Sequence, residues 1–156
     1  MTVERRRATA ITENDRRPLW VMGARLDIVV DGEQTGGAYA IAEDRSEPGF
    51  GPPPHVHERE DEAFYVIEGE YVFGGEGWEL RAAPGTFVHA PKGELHWWRN
   101  AGEGPGRHLE IFVPAGLEQM FLEIGTPITD DISEPPPPDP GALLAAAPRY
   151  GVTFKV

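Results

Sequence analysis

His55 and His57 stand two residues apart in the run GFGPPPHVHEREDEAFYVIEG, residues 49–69. In an extended strand alternate side chains share a face, so both imidazoles can aim at one point while Val56 turns away. Glu62 follows after Glu58, Arg59, Glu60 and Asp61, all charged. That stretch reads as a solvated bend returning the chain to a second strand that carries Glu62 inward. In GTFVHAPKGELHWWRN, residues 85–100, His96 comes after a Pro91-Lys92-Gly93 turn and opens an aromatic strand, which makes it the natural fourth ligand. Three imidazole nitrogens and one carboxylate oxygen suit one divalent transition metal per chain: iron, manganese, nickel, cobalt, copper and zinc all accept them. The two nitrogens of His55 and His57 with the Glu62 carboxylate, positions left open, are also the kind of set used for iron(II) oxygen chemistry.

The elements that must position these residues are short strands. Leu19 to Val30 holds one or two, closed by an Asp31-Gly32 turn. Tyr39 to Glu43 gives the next, and Pro52-Pro53-Pro54 forces an extended approach to His55. Ala63 to Ile67 is apolar on both faces, as in a strand between two layers. Glu70–Phe73, Trp78–Ala82, Thr86–Ala90, His96–Arg99 and Arg107–Val113 continue the pattern between Gly and Pro turns. About eight to ten strands without an intervening helix predict an all-β double-sheet jelly roll whose interior can hold a ligand.

Helix is expected only afterwards. Leu117, Met120, Phe121 and Ile124 fall at i, i+3, i+4 and i+7, with Gly125 as a C′ residue. Residues 134–140 are proline-rich and read as an extended connector to a short helix over 142–147. The segment 126–156 is expected to pack on the barrel or on a partner subunit. At the other end, residues 1–17 read as a flexible tail with Arg5, Arg6 and Arg7 solvated.

Composition narrows the function classes. The chain has 156 residues, enough for one domain with a substantial core, and its 19 Gly and 16 Pro fit many turns. A formal net charge of −12 disfavours nucleic acid and anionic membrane as partners. Without cysteine, neither disulfides nor thiolate chemistry contributes. No stretch approaches the roughly 20 apolar residues of a membrane span, so a cytoplasmic protein is the default expectation.

Gly49, His55, His57, Glu62 and Gly69 form one spaced motif, and Gly85, Pro91, Gly93, His96 and Asn100 a second. In both, the chain resembles the cupins at every fixed position. Over roughly residues 20 to 125, with a weaker echo at Arg149-Tyr150-Gly151, it is similar to the small single-domain bacterial cupins called quercetin-dioxygenase-like. The resemblance implies a double-stranded β-helix, with barrel and following helix over 18–125. It also implies a metal on His55, His57, Glu62 and His96, and a homodimer in which Leu19 to Met22 pairs with the partner.

The function implied is a dioxygenase acting on an aromatic or polyketide-like small molecule, with dioxygen as co-substrate and Glu62 as ligand and general base. Two alternatives stand: a cyclase, isomerase or decarboxylase that consumes no oxygen, and a non-catalytic small-molecule-binding module. Strand alternation puts Trp98 on the face of His96, where it walls the pocket or fills the core. Phe64 is a second inward candidate. His89 either lines the pocket or faces outward or towards a partner, and His108 is structural or exposed.

Overall fold

The computed structural model describes residues 7–155. Arg5 and Arg6 of the expected solvated cluster lie outside them, and Arg7 is exposed. The segment expected as a tail is partly built into the fold: Glu13–Asp15 form a 3-10 turn boxed by Thr12. Arg16 pairs with Glu43 at 3.3 Å, and Arg17 pairs with Asp31.

Two strands, β1 (Arg17–Val21) and β2 (Ala24–Val30), form a hairpin whose turn residues Met22 and Gly23 both have positive φ. Between β2 and β3 (Ala40–Ser46) the expected turn is instead a one-turn helix, α1 (Gly32–Thr35). Asp31 and Gln34 cap it reciprocally, a local hydrogen-bond pairing that can make a helix without an apolar period. The strands then run β4 (His55–His57), β5 (Asp61–Glu68), β6 (Tyr71–Gly75), β7 (Trp78–Ala82), β8 (Phe87–Ala90), β9 (His96–Asn100) and β10 (Gly106–Val113).

After the barrel come α2 (Glu118–Ile124), β11 (Thr126–Pro127), α3 (Pro140–Ala146), a 3-10 turn Ala147–Tyr150 and β12 (Val152–Phe154). Gly125 does end α2, but with φ −78° rather than a left-handed turn. Glycine fits there because a Cβ would press on Phe121 O at 2.6 Å and approach Leu19 at 3.3 Å. None of these helices is long and apolar enough to cross a membrane, among the described residues.

The strands form a seven-stranded sheet, β11-β1-β2-β3-β10-β5-β8, facing a five-stranded one, β12-β4-β9-β6-β7. This is an all-β jelly roll, as the turn spacing predicts. Two apolar clusters fill it. Leu26, Ile28, Phe112, Leu117 and Met120 belong to the first, and Phe64, Tyr71, Phe73 and Trp98 to the second. Both strands of the C-terminal segment pair within the chain: β12 with β4, and β11 with β1 at Leu19 and Trp20. The strand expected to meet a partner therefore has that edge taken within the chain. Strand β5 is not covered on both faces, since Tyr65 is 42% exposed and its cross-strand neighbour Phe87 is 60% exposed.

The approach to β4 is clamped from both sides. Gly49 N donates to Asn100 O at 2.8 Å and Asn100 N donates to Phe50 O at 2.9 Å. The buried Asn100 side chain donates to Ser46 O at 2.9 Å and accepts from Gly102 N at 2.9 Å, so this motif residue is a structural clasp. Gly51 fits so closely that an added Cβ would overlap the Trp98 carbonyl oxygen and lie 2.9 Å from Arg99 Cα. Gly51→Ala is expected to push this segment off β9 and destabilise the fold by about 1–3 kcal/mol. Thermal unfolding checks this, and an unchanged midpoint would show that the segment moves aside freely.

Candidate metal centre

Strands β4 and β9 share one register pair, His55 with His96. From the facing sheet, β5 brings in Glu62, whose inward direction follows from its pairing with Phe112 on β10 and Ala90 on β8. One donor atom from each of His55, His57, Glu62 and His96 lies within 4.8 Å of the others. All four residues are buried, at 2–6% exposure. Glu62 Oε2 is 2.8 Å from His57 Nε2 and 2.9 Å from His96 Nε2.

Each imidazole turns its other nitrogen to an oxygen. His55 Nδ1 lies 2.9 Å from Pro53 O, His57 Nδ1 2.8 Å from Glu60 Oε1, and His96 Nδ1 3.2 Å from Glu94 O. When Nδ1 donates, Nε2 keeps a lone pair aimed at the centre, the tautomer that a metal ligand needs. His57 Nε2 is buried and makes no well-formed hydrogen bond, although Glu62 Oε2 is close. Four donor atoms that converge on one buried point fit a cation, and the three-nitrogen, one-oxygen set suits a divalent transition metal. Glu60 is a correction to the solvated bend, being only 4% exposed. Its carboxylate orients His57 from behind.

Burial disfavours a charged His57, but the nearby Glu62 charge and the hydrogen bond to Glu60 outweigh it and raise its pKa from 6.5 to about 10. For His55, burial dominates, opposed by Glu62 and reinforced by the other imidazoles, and lowers the pKa to about 4. Burial would raise Glu62, yet His57 and His96 hold its carboxyl well below the usual range. Without a metal, a protonated His57 would face the ionised Glu62 across 2.8 Å. The His57 contribution to stability is complete below its unfolded pKa near 6.5 and is lost as pH rises through about 10. That of Glu62 is present above 4.5 and lost only on strong acidification.

His55, His57 and Glu62 open onto a cavity of about 190 Å³, walled by Trp98, Met120 and Phe154 among others. Trp98 is 5% exposed and occupies the inward position expected of it. Phe64 also points inward at 1% exposure, but it packs on Phe73 at 4.8 Å between ring centroids and does not line the cavity. His89 is exposed. The Glu62–Ala90 pair fixes the parity of β8, so Val88 and Ala90 face inward and His89 sits outside, opposite Ala63.

Three buried polar residues escape the sequence reading of the pocket. His108 is wholly buried, with ring centroids 4.5 Å from Trp98 and 4.7 Å from Tyr71, so the exposed alternative is wrong. Its Nε2 lies 3.3 Å from Glu110 Oε1. Glu110 and Asp44 line the cavity at 4% and 5% exposure. Burial pushes the Asp44 carboxyl up to about 7 against the pull of His108, and burial together with the Glu62 charge raises Glu110 well above the carboxylate range. Burial lowers His108. The alternation His108, Glu110, Phe112 on β10 is the signal that could have found the first two.

Residues 44–112 match the family model described as the cupin domain. A quercetin 2,3-dioxygenase from Bacillus subtilis (strain 168) is 28% identical over 116 residues, 74% of this chain. The chain spans about a third of that relative's length, 33%. Among solved structures, KdgF from a Halomonas species aligns with a TM-score of 0.63 at 22% identity, covering 71% of this chain and 99% of that one. The polyketide cyclase RemF from Streptomyces resistomycificus aligns at 0.58 and 21% identity, over 69% and 80% of the two chains. A predicted oxalate decarboxylase from Thermotoga maritima aligns at 0.59 and 22%, over 68% and 99%. With its two facing sheets and the match over residues 44–112, the chain has the fold of the cupins and resembles them in sequence.

Metal uptake must displace the His57 proton. Binding of zinc to the metal-free protein is therefore expected to release protons and to tighten by about tenfold per pH unit between about pH 7 and pH 9. Titration calorimetry in buffers of different ionisation enthalpy reads the protons directly. His57→Ala is expected to abolish most uptake while the far-ultraviolet spectrum stays that of the barrel. PH-independent affinity would show that His57 is not protonated in the metal-free protein.

Proposed function

We propose that the chain is a metal-dependent enzyme acting on a small, largely apolar organic molecule, and that its reaction is an oxygenation. One observation carries this: a buried cluster of three histidines and a glutamate opens onto a cavity with apolar walls. Support also comes from the quercetin dioxygenase relative. His55, His57, Glu62 and His96 would hold the ion, which supplies Lewis acidity and, if redox-active, one-electron chemistry with dioxygen. Trp98, Met120 and Phe154 exclude water and hold an apolar skeleton. At about 190 Å³ the cavity is smaller than the usual 300–1,000 Å³ ligand pocket, which favours a molecule of one or two rings.

Glu62 is placed to take a proton from such a substrate. Its carboxylate stays ionised because His57 and His96 stabilise it, and it gains basicity once the His57 proton has gone. A second reading keeps the site and drops the oxygen: cyclisation, isomerisation or decarboxylation. The observation favouring it is the pair of buried carboxyl groups, Asp44 and Glu110, held towards their protonated forms and able to give a proton.

An oxygen electrode separates the two readings. Protein loaded in turn with each candidate metal is offered quercetin and a panel of one- and two-ring phenols and enols. Oxygen uptake that needs the metal supports the oxygenase, and product formation under argon supports the second reading. Glu62→Gln at saturating metal is expected to leave the rate down by about 10²- to 10⁴-fold. Full recovery with excess metal would reduce Glu62 to a ligand.

A further inference from the structure

Asp44 and Glu110 are the buried acids that the metal centre does not use. Both line the cavity, and Asp44 Oδ1 is buried without a hydrogen-bond partner. A buried oxygen left unpaired in an apolar site weakens the fold, so its retention calls for a reason. No lysine or arginine lines the cavity among the described residues. Neither acid therefore has a cationic side chain to pair with there.

Strand register sets the order of the acids. Glu62 on β5 lies opposite Phe112 on β10, Glu110 stands two residues further along β10, and Asp44 on β3 lies opposite His108, two residues further again. By ordinary strand spacings Glu110 is one strand across and roughly 7 Å along from Glu62, and Asp44 is two strands across and roughly 13 Å along. The polar groups thus step diagonally away from the metal ligands across the inner face of the larger sheet. Leu26 and Met120 add apolar lining to the same cavity. The whole suits a ligand with a metal-binding end, an apolar middle and a polar far end.

We propose that Asp44 and Glu110 form a second polar subsite of the cavity, which binds a hydroxyl or amino group on the substrate remote from the metal-binding end. Carboxyl oxygens accept hydrogen bonds from either group, and either acid once ionised repels a second anionic group. This rests on the reading of the cavity as the substrate site. His108, 3.3 Å from Glu110, holds that carboxyl from the side away from solvent.

The test uses the full chain loaded with zinc and four catechols that differ only at position 4: ethyl, 2-hydroxyethyl, 2-aminoethyl and carboxymethyl. Dissociation constants are read by titration calorimetry. Wild-type protein is expected to bind the hydroxyethyl or aminoethyl probe about 5- to 30-fold more tightly than the ethyl probe, and the carboxymethyl probe most weakly. A hydroxyethyl preference marks a neutral donor, and a larger aminoethyl preference marks a cation. Asp44→Leu and Glu110→Leu should erase the preference and leave ethylcatechol binding unchanged or tighter. Asp44→Asn, which keeps an acceptor and the side-chain size, should retain the hydroxyethyl preference. Equal binding of all four probes, or a preference that survives both leucine variants, overturns the subsite. Failure of every probe to bind protein with intact zinc uptake overturns the underlying reading of the cavity, and the subsite with it.

Discussion

Burying three imidazoles and a carboxylate inside an apolar barrel is possible only if every polar atom that does not face the centre finds a partner. That requirement reaches well beyond the four residues. The carbonyl of Pro53 must be presented to His55, which requires the extended proline run, and the carbonyl of Glu94 to His96, which requires the turn at Pro91–Gly93. Glu60 must come in from the bend to meet His57. These loops are then tied to the strands they serve: Gly93 N donates to His57 O at 2.8 Å, and Lys92 N to Asp61 Oδ1 at 2.8 Å. The loop between β8 and β9 is therefore tied by backbone donors to both β4 and β5. Local geometry is over-determined in the way that a preorganised ligand set needs.

A different logic governs the acids further along the larger sheet. Glu62 is charged and matched by its imidazoles, whereas Asp44 and Glu110 are driven towards neutrality by burial. A group whose folded-state pKa is raised binds protons more readily in the native state, so the fold loses stability as pH climbs through that range. For Asp44 the loss runs from near 3.8 up to about 7. One sheet face thus carries a carboxylate stabilised by its surroundings beside two carboxyls that weaken the fold as they ionise. Stability set aside in this way is characteristic of positions kept for chemistry or recognition.

Much of this was legible in the sequence. The metal ligands could be read because a two-residue spacing on a strand has one geometric meaning and the flanking prolines and glycines mark where strands stop. Two positions share one ambiguity. On β10, Leu109, Ile111 and Val113 look like the core set, yet the register buries Gly106, His108, Glu110 and Phe112. On β8, His89 could be assigned to either face until its pairing with β5 was known. Periodicity gives the alternation but not its phase, and only cross-strand pairing supplies the phase. Glu60 was misread because a run of charges looks solvated whichever member turns in. The helix at Gly32–Thr35 was missed because one turn is too short to show a period.

Strand β4 carries two of the ligands, is three residues long and shares one register pair with β9. Its other flank is supplied by β12, where Val152 lies opposite His57 and Phe154 opposite His55, with the Phe154 ring 5.4 Å from that of His55. Those residues leave the ribosome roughly a hundred positions after the histidines, a delay of about 5–20 s at ordinary elongation rates. Throughout that interval the nascent chain presents its two-histidine strand as a bare edge, with one wall of the cavity not yet made.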